Sequence, residues 1–421
     1  MGLPSGMNCA ANRLQEGETV LDVPFKLMMT LNTAQQGPLK QVVEEKQMSP
    51  TIILTLHLMN EQLNPDSFFN PWLSALPQTF ETPLFWSDED LAGLKGSTTL
   101  SVVQRRKETM QSDYDSLFGV LFAEYPTIFT KEKYTFELFQ WAMSTVWSRS
   151  FVFNIEGQLV PVIVPFADCF EHGNVESSFS LEDSEKVFRI TLAKPIKAGE
   201  RVHISLGAKP NSQLLMNYGF VLRDNLYDTV LINMFLNEDD PFYEAKSKIL
   251  SFNDQPPSQL YYLRYDAIPQ DLLRALRVQL LKPSELDHYG KIFEGKRVSL
   301  ENELDVLRQL VSACDTLLKQ YPQTALEDQK VMQDAEQFGA LSERYDHVFC
   351  CKTRGTLSYS CSTTLGRTHS TSDIRFTVVA WCVYRAQTAL VLRFGEKRVL
   401  HRTVELVSQV WSMLLVEGWH D

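Results

Sequence analysis

The sequence predicts an α+β fold in which a β-rich unit stands between two helical regions. Residues 155–235 contain short apolar runs, several with alternating polarity, separated by glycine-containing turns, a pattern typical of strands. Residues 34–151 and the region after residue 236 are richer in long segments that favour helices. With 421 residues, the chain is long enough for two or three domains and a full apolar core.

Strands are predicted in two separated parts of the chain. A turn at Gly17 precedes the first predicted strand, and Pro24 separates that strand from the second. The predicted strands are residues 19–23, 27–30, 159–166, 187–192 and 201–205.

Helices are predicted on both sides of the β-rich unit. Residues 51–63 are predicted as a helix from their length and leucine content, and residues 136–152 as an aromatic-rich helical segment. The clearest helix follows Ser299, a good N-cap, with Glu301 in its first turn. Its apolar stripe has alternating four–three spacing and consists of Leu300, Leu304, Leu307, Val311, Cys314 and Leu318.

Composition and charge exclude several classes of function. Forty Lys and Arg against 52 Asp and Glu give a net charge of −12, which disfavours nucleic-acid binding because phosphate partners require basic surface. No run approaches the about 20 apolar residues that cross a bilayer, and no signal peptide is visible. An odd number of cysteines, seven, indicates reduced thiols inside the cell. We expect a monomer in the cytoplasm or nucleus, or in a plastid if an upstream segment is missing.

The residues able to carry chemistry concentrate in three segments. These are residues 165–173, 198–207 and 217–220, which bring an acid, an imidazole and a phenol within about 50 residues. The chain has no phosphate-binding loop, dinucleotide fingerprint, zinc-protease motif or serine-hydrolase elbow. The cysteines near His347 and His369 lack the paired spacing of a structural zinc site, so we expect no metal.

These segments resemble the SET-domain protein methyltransferases of the Rubisco large-subunit methyltransferase-like class. Residues 168–172 are similar to the Asp-x-x-Asn-His segment of that class, residues 199–207 to its Gly-Glu…Ile-Ser-Tyr-Gly segment, and residues 218–220 to Tyr-Gly-Phe. Residues 70–77 and 389–397 also match segments of that class in the expected order. The resemblance implies a SET domain over residues 1–235, with a core split into residues 1–33 and 152–235 and a helical insertion at 34–151. It also implies an all-α domain over residues 236–421 that binds a protein substrate, and S-adenosylmethionine as cofactor.

The resemblance also implies individual roles. The implied cofactor contacts are Arg149, Glu171, His172 and Phe220. Tyr218 would be the catalytic phenol, and Asp168 and Leu206 would line the substrate channel. Four of these residues have a structural alternative. Arg149 could be a surface arginine, His172 a core imidazole, Phe220 a core ring, and Asp168 an aspartate that caps a turn.

Two departures from the family pattern bear on activity. Glu171 stands where the class has asparagine, and Leu206 where it has a tyrosine at the methyl-transfer channel. A leucine side chain offers no hydrogen bond. The favoured function is lysine methylation of a protein. The alternatives are a histidine-directed methyltransferase and a catalytically weakened SET-fold binding module.

Residues 347–385 interrupt the expected pattern in the helical domain. Four of the seven cysteines lie there, among Ser, Thr, Arg and His residues. We interpret this segment as an insertion, either genuine or a retained intron in the coding sequence. The loop at residues 5–8 stands where the class has Gly-x-Gly, and is a weak match.

Overall fold

The structure, a computed structural model, describes residues 10–155, 157–175, 177–337 and 372–416. Within those ranges, the strands are β1 (Thr19–Pro24), β2 (Ser150–Ile155), β3 (Gln158–Ile163), β4 (Glu171–His172), β5 (Ser177–Glu182), β6 (Val187–Leu192), β7 (His203–Ile204), β8 (Thr229–Phe235) and β9 (Ser258–Arg264). No helix of the described chain combines the length and apolar character needed to span a bilayer.

The β-rich core consists of three small sheets. Strands β1, β6 and β5 form an antiparallel sheet in that order, β2 and β3 form a hairpin, and β4 pairs in parallel with β7. Alternate residues of these strands, such as Val23, Phe151, Phe188 and Ile190, fill a common apolar cluster. The first and last parts of the β-rich unit therefore share one core, although more than 100 residues separate β1 from β2.

Two predicted strands differ from the structure. The strand expected at residues 27–30 is replaced by a 3₁₀ turn at Phe25–Leu27 and a single bridge from Met29 to Ile163. The β1–β6 ladder ends at the Pro24–Val187 pair, so the chain beyond it has no ladder partner. The strand expected at 201–205 shortens to β7, because its partner β4 is only two residues long.

The insertion is helical, as expected. Its helices are α1 (Leu31–Gln35), α2 (Lys40–Glu45), α3 (Pro50–Leu63), α4 (Asn70–Leu73), α5 (Asp88–Ala92), α6 (Thr98–Glu124) and α7 (Phe136–Arg149). The Ser49 hydroxyl caps α3, and Pro50 occupies its first turn. The predicted segment 136–152 is divided, because α7 ends at Arg149 and Ser150 begins β2. The residues after Arg149 pair with β3 in full register.

Helix α8 (Asn211–Tyr218) follows the β-rich core, and the chain after it contains α9 (Tyr243–Phe252), α10 (Gln270–Gln279), α11 (Gly290–Phe293), α12 (Leu300–Leu318), α13 (Ala325–Gln337) and α14 (Ser372–Val416). Helix α12 has the predicted bounds, and the Ser299 hydroxyl caps it by accepting from the Asn302 N–H. Strands β8 and β9 pair antiparallel beside these helices. Sequence analysis did not place β9.

The segment interpreted as an insertion lies mostly outside the described residues. From residue 372 its backbone belongs to α14, a helix of 45 residues. Tyr384 and Arg385 contact the N-terminal part of the chain: the Tyr384 hydroxyl donates to the Gly219 carbonyl at 3.0 Å, and Arg385 pairs with Glu81 and Asp90. The insertion itself stays a prediction.

A buried carboxyl group connects the helical C-terminal part to the helical insertion at residues 34–151. Glu396 of α14 is 2% exposed and accepts from Ser97 at 2.8 Å, Tyr321 at 2.9 Å and Thr99 at 3.2 Å. Burial raises the pKa of Glu396 to about 7, and these three hydroxyl donors offset only part of that effect. Folding is therefore linked to protonation of this group.

We expect the free energy of unfolding to fall as the pH rises from 4.5 to about 7, because the folded protein holds a proton on Glu396 that the unfolded chain releases. The full effect of this one group is about 3 kcal/mol. Chemical denaturation between pH 5 and 7.5 measures it. Glu396→Gln is the control, since an amide does not titrate, and its pH slope is expected to be flatter. Equal slopes in the two proteins would contradict the assignment.

Candidate functional site

A buried aspartate marks the centre of the first residue group. After β3 the chain turns at Phe166, whose φ of 74° is rare for a residue with a side chain, and enters a 3₁₀ turn at Ala167–Cys169. The Asp168 side chain, 1% exposed, accepts from Arg149 Nη1 at 2.9 Å and from Trp72 Nε1 at 3.1 Å. The two predicted site residues are thus brought together, and they bind each other. The carboxylate is a structural acceptor in this arrangement.

Arg149 keeps one donor unused. It is the last residue of α7, and its Nη1 also donates to the Asp168 carbonyl at 3.4 Å. Its Nε is buried and has no hydrogen-bond partner among the described residues. Buried donors are normally satisfied, so this atom indicates a missing acceptor from a ligand or water.

His172, like Arg149, has a buried nitrogen without a hydrogen-bond partner in the part of the chain that the structure describes. It lies on β4, and its Nδ1 accepts the Leu206 N–H at 3.0 Å. Burial lowers the pKa of His172 below 6.5, and the nearby Lys209 and His203 add to this effect. The ring is therefore neutral at pH 7, with its proton on Nε2. Within the described chain that Nε2 is buried without a partner.

Aromatic rings extend from His172. The centre of the Phe220 ring lies 5.9 Å from that of His172 and 6.0 Å from that of Tyr218. Between them, Gly219 ends α8 with φ 81°, and an added Cβ would lie 2.8 Å from the backbone of Glu81. Only glycine fits this turn. Burial raises the pKa of Tyr218, so its phenol stays protonated at neutral pH.

Glu171 contacts charged groups of the adjacent strand. Its carboxylate accepts from Arg201 Nη1 at 3.0–3.1 Å and lies 3.6 Å from His203 Nε2. The parallel register places Glu171 opposite His203. Sequence analysis missed Arg201 and His203 as partners, although both lie in the segment it singled out. The pairing of β4 with β7 was the missing information. A role for Glu171 towards the cofactor stays a prediction.

Leu206 contributes its backbone N–H to the site, and its side chain is only half-buried. The N–H that binds His172 belongs to Leu206, and the half-buried side chain packs against the apolar cluster of the β-rich core. This position supplies no polar side-chain atom.

Two other predictions concern loops and metals. The loop at residues 5–8 lies outside the described residues. Across the described ranges, no group of three or more His, Cys, Asp or Glu side chains could hold a metal ion.

The donors and rings suit a ligand with an anionic end and a planar aromatic end. Arg149 Nε and His172 Nε2 are the unsatisfied donors, and Phe220 offers an aromatic face. Arg149 binds Asp168, and His172 follows Asp168 by four positions, so one short segment connects the two donor residues. This donor set fits S-adenosylmethionine, which has a carboxylate and an adenine ring.

Part of the chain after the β-rich core matches a family model. Residues 237–400 match the family model described as Rubisco LSMT substrate-binding. The fold resembles the solved structure of Rubisco LSMT bound to sinefungin and monomethyllysine, with a TM-score of 0.73 and 22% identity over 98% of this chain and 86% of that one. The structure of Rubisco LSMT bound to AdoMet has a TM-score of 0.70 and 22% identity over 96% and 85%. The predicted α+β class with a helical C-terminal domain is confirmed.

The sequence relatives are a different group of proteins. The actin-histidine N-methyltransferase of Xenopus tropicalis is 28% identical over 350 residues, which cover 78% of this chain and 60% of the relative. The Homo sapiens protein of the same name is 26% identical over 348 residues, covering 77% and 58%. The chain therefore spans about 60% of the length of these relatives.

Proposed function

Because this chain joins the SET-domain fold to a Rubisco LSMT substrate-binding domain, we propose that it is an S-adenosylmethionine-dependent protein methyltransferase. The observation that carries the proposal is the pair of unsatisfied buried donors, Arg149 Nε and His172 Nε2, which are connected through the contact of Arg149 with Asp168. The names of the sequence relatives and the cofactor in the similar structures support it. The proposal includes a protein as the substrate and partner of this chain.

Each residue of the proposed site has its own role. Arg149 binds the carboxylate end of the cofactor, and neutral His172 donates from Nε2 to its adenine side, where Phe220 packs. S-adenosylmethionine, when bound, supplies a methyl group on a positively charged sulfur. Tyr218, protonated because burial raises its pKa, would position the target side chain by a hydrogen bond that leaves the attacking lone pair of the nitrogen free. The helical domain selects the protein substrate.

We propose histidine as the first target. Among the candidate residues, Asp168 is engaged by Arg149 and Trp72, Leu206 is apolar, and Tyr218 keeps its proton. None of them is placed to remove a proton from an ammonium group. An imidazole, with an ordinary pKa near 6.5, is largely neutral at pH 7, whereas a lysine near 10.4 must first be deprotonated. The names of the sequence relatives point the same way.

Lysine is the second candidate. It is the target favoured from the motifs, and the similar structures of Rubisco LSMT were solved with lysine or monomethyllysine bound. Lysine methylation requires a desolvated channel that lowers the pKa of the incoming amine.

The test combines labelled transfer with a cofactor titration. The purified chain is incubated with a cell extract and methyl-labelled S-adenosylmethionine, and the labelled residue is identified by mass spectrometry. A methylated histidine supports the first candidate, and a methylated lysine the second. Heat of S-adenosylmethionine binding without any transfer indicates the weakened binding module. The absence of both cofactor binding and methyl transfer would refute the proposed function.

The Leu206 position provides a separate prediction. Leu206→Tyr is expected to raise turnover about 10- to 100-fold, since one positioned polar group at a reacting centre is commonly worth that much or more. The affinity for S-adenosylmethionine should stay unchanged, because only the backbone of Leu206 contacts His172. The added hydroxyl must be solvated, so we expect about 1 kcal/mol of lost stability.

Leu206→Phe is the matched control, because it adds the ring without the hydroxyl. Equal turnover in the Tyr and Phe variants would show that the oxygen has no role at this position. A wild-type turnover of about 1 s⁻¹ or more would show that Leu206 does not slow methyl transfer and that its assignment to the substrate channel is wrong.

A further inference from the structure

We propose that Arg106 is a positioning residue that ties together the two helix ends on which the candidate site is built. It projects from α6 of the insertion and contacts both α7 and α8. The inference rests on the proposed function, because it concerns the geometry of that same site. No motif of the sequence singled out Arg106.

The first contact is with the helix that carries Arg149. The guanidinium carbon of Arg106 lies 3.9 Å from the centre of the Trp147 ring, a close cation–π stack. Trp147 stands two positions before Arg149 in the last turn of α7. The stack therefore fixes the turn from which Arg149 reaches Asp168.

The second contact is with the helix that carries Tyr218. Arg106 Nη1 donates to the Asn217 side-chain oxygen at 2.8 Å and to the Met216 carbonyl at 3.4 Å. Both acceptors belong to the last turn of α8, where a cation is favoured by the helix dipole. Asn217 directly precedes Tyr218. The same guanidinium therefore holds the phenol in place relative to α7.

Stability alone does not explain an arginine here. Burial lowers the pKa of Arg106, and among the described residues no carboxylate acts against that shift. Burying a cation without a counter-charge is costly, and an apolar side chain of similar length would fill the space without that cost. The two contacts require a planar group that stacks through one face and donates hydrogen bonds in its own plane, and a guanidinium has both properties. Arg106 therefore serves to orient the ends of α7 and α8 relative to each other.

The experiment compares Arg106→Met with Arg105→Met, a matched control at an exposed position on the same helix. The rate of methyl transfer from labelled S-adenosylmethionine to extract proteins is measured at saturating cofactor, well below both melting temperatures. We expect Arg106→Met to lower this rate about 10- to 100-fold relative to the control, as small misplacements do. The KM for the cofactor should change little, since Asp168 anchors Arg149 independently.

Two further measurements separate positioning from general loosening of the fold. In Arg106→Met, amide hydrogen exchange should become faster at residues 147–149 and 216–218, the two helix ends that Arg106 contacts, and stay unchanged in the rest of the chain. Asn217→Ala should lower the rate, and adding it to Arg106→Met should cause no further loss, because the two residues act through one contact.

Equal rates in the two methionine variants, additive losses with Asn217→Ala, or faster exchange throughout the chain would each overturn the inference. If the wild-type protein transfers no methyl group, the proposed function fails. The exchange experiment then decides alone: a local increase at residues 147–149 and 216–218 supports the positioning role, and no increase refutes it.

Discussion

Replacing Tyr218 with phenylalanine is expected to lower methyl transfer by about 100- to 1000-fold, which is the usual effect of removing one positioned donor at a reacting centre. Tyr218 is the catalytic phenol of the proposed site, and Leu206 supplies no second hydroxyl. The affinity for S-adenosylmethionine should not change, because the proposed cofactor contacts are made by Arg149, His172 and Phe220. Initial rates with labelled cofactor and a calorimetric titration measure the two quantities.

Tyr227→Phe is the matched control, since Tyr227 is a half-exposed phenol beyond α8, 40% exposed. It should transfer methyl groups at the wild-type rate. A Tyr218→Phe variant as active as this control would remove Tyr218 from the chemistry. A loss of cofactor affinity would instead place Tyr218 in the cofactor pocket.

Arg149→Ala is expected to have two effects with different causes. It removes the guanidinium that pairs with Asp168 and leaves a carboxylate of 1% side-chain exposure without its counter-charge. Breaking a buried pair in this way costs on the order of 3–5 kcal/mol of folding free energy. It also removes the proposed carboxylate contact, so the affinity for S-adenosylmethionine should fall about ten-fold or more.

The double variant Arg149→Ala with Asp168→Asn separates these effects. A neutral amide removes the unpaired charge and still accepts from Trp72, so much of the stability should return. The affinity for S-adenosylmethionine should not return, because the arginine is still missing. Chemical denaturation and calorimetry measure the two. Recovery of the affinity would show that Arg149 acts only through its pair with Asp168.

Elements with a strong local signal were predictable from the sequence. Helix α12 follows its apolar stripe and its Ser299 cap, and both are properties of neighbouring residues. Strand β6 has the predicted bounds, since alternation is also a local pattern. The three motif segments were also recognisable, and the structure brings His172, Tyr218 and Phe220 of those segments into contact.

Boundaries that depend on a partner were not predictable. The residues after Arg149 are compatible with either a helix or a strand, and pairing with β3 decides for the strand. Residues 27–30 have the composition of a strand, but the ladder of β1 has already ended. Strand β9 was missed because its partner β8 lies more than 20 residues earlier in the chain.

By itself, the sequence determined the fold class and the order of its helical and β-rich parts, because periodicity and capping act over a few positions. The candidate site residues were implied by the resemblance of three motif segments to a known family. Only the tertiary structure decided that Asp168 binds Arg149, that Glu171 faces Arg201, and that Arg106 reaches both helix ends. Glu396 meets Ser97 across 299 positions of the chain. Such contacts depend on packing between distant segments, which sets burial and thereby pKa and hydrogen-bond partners, and no local pattern contains that information.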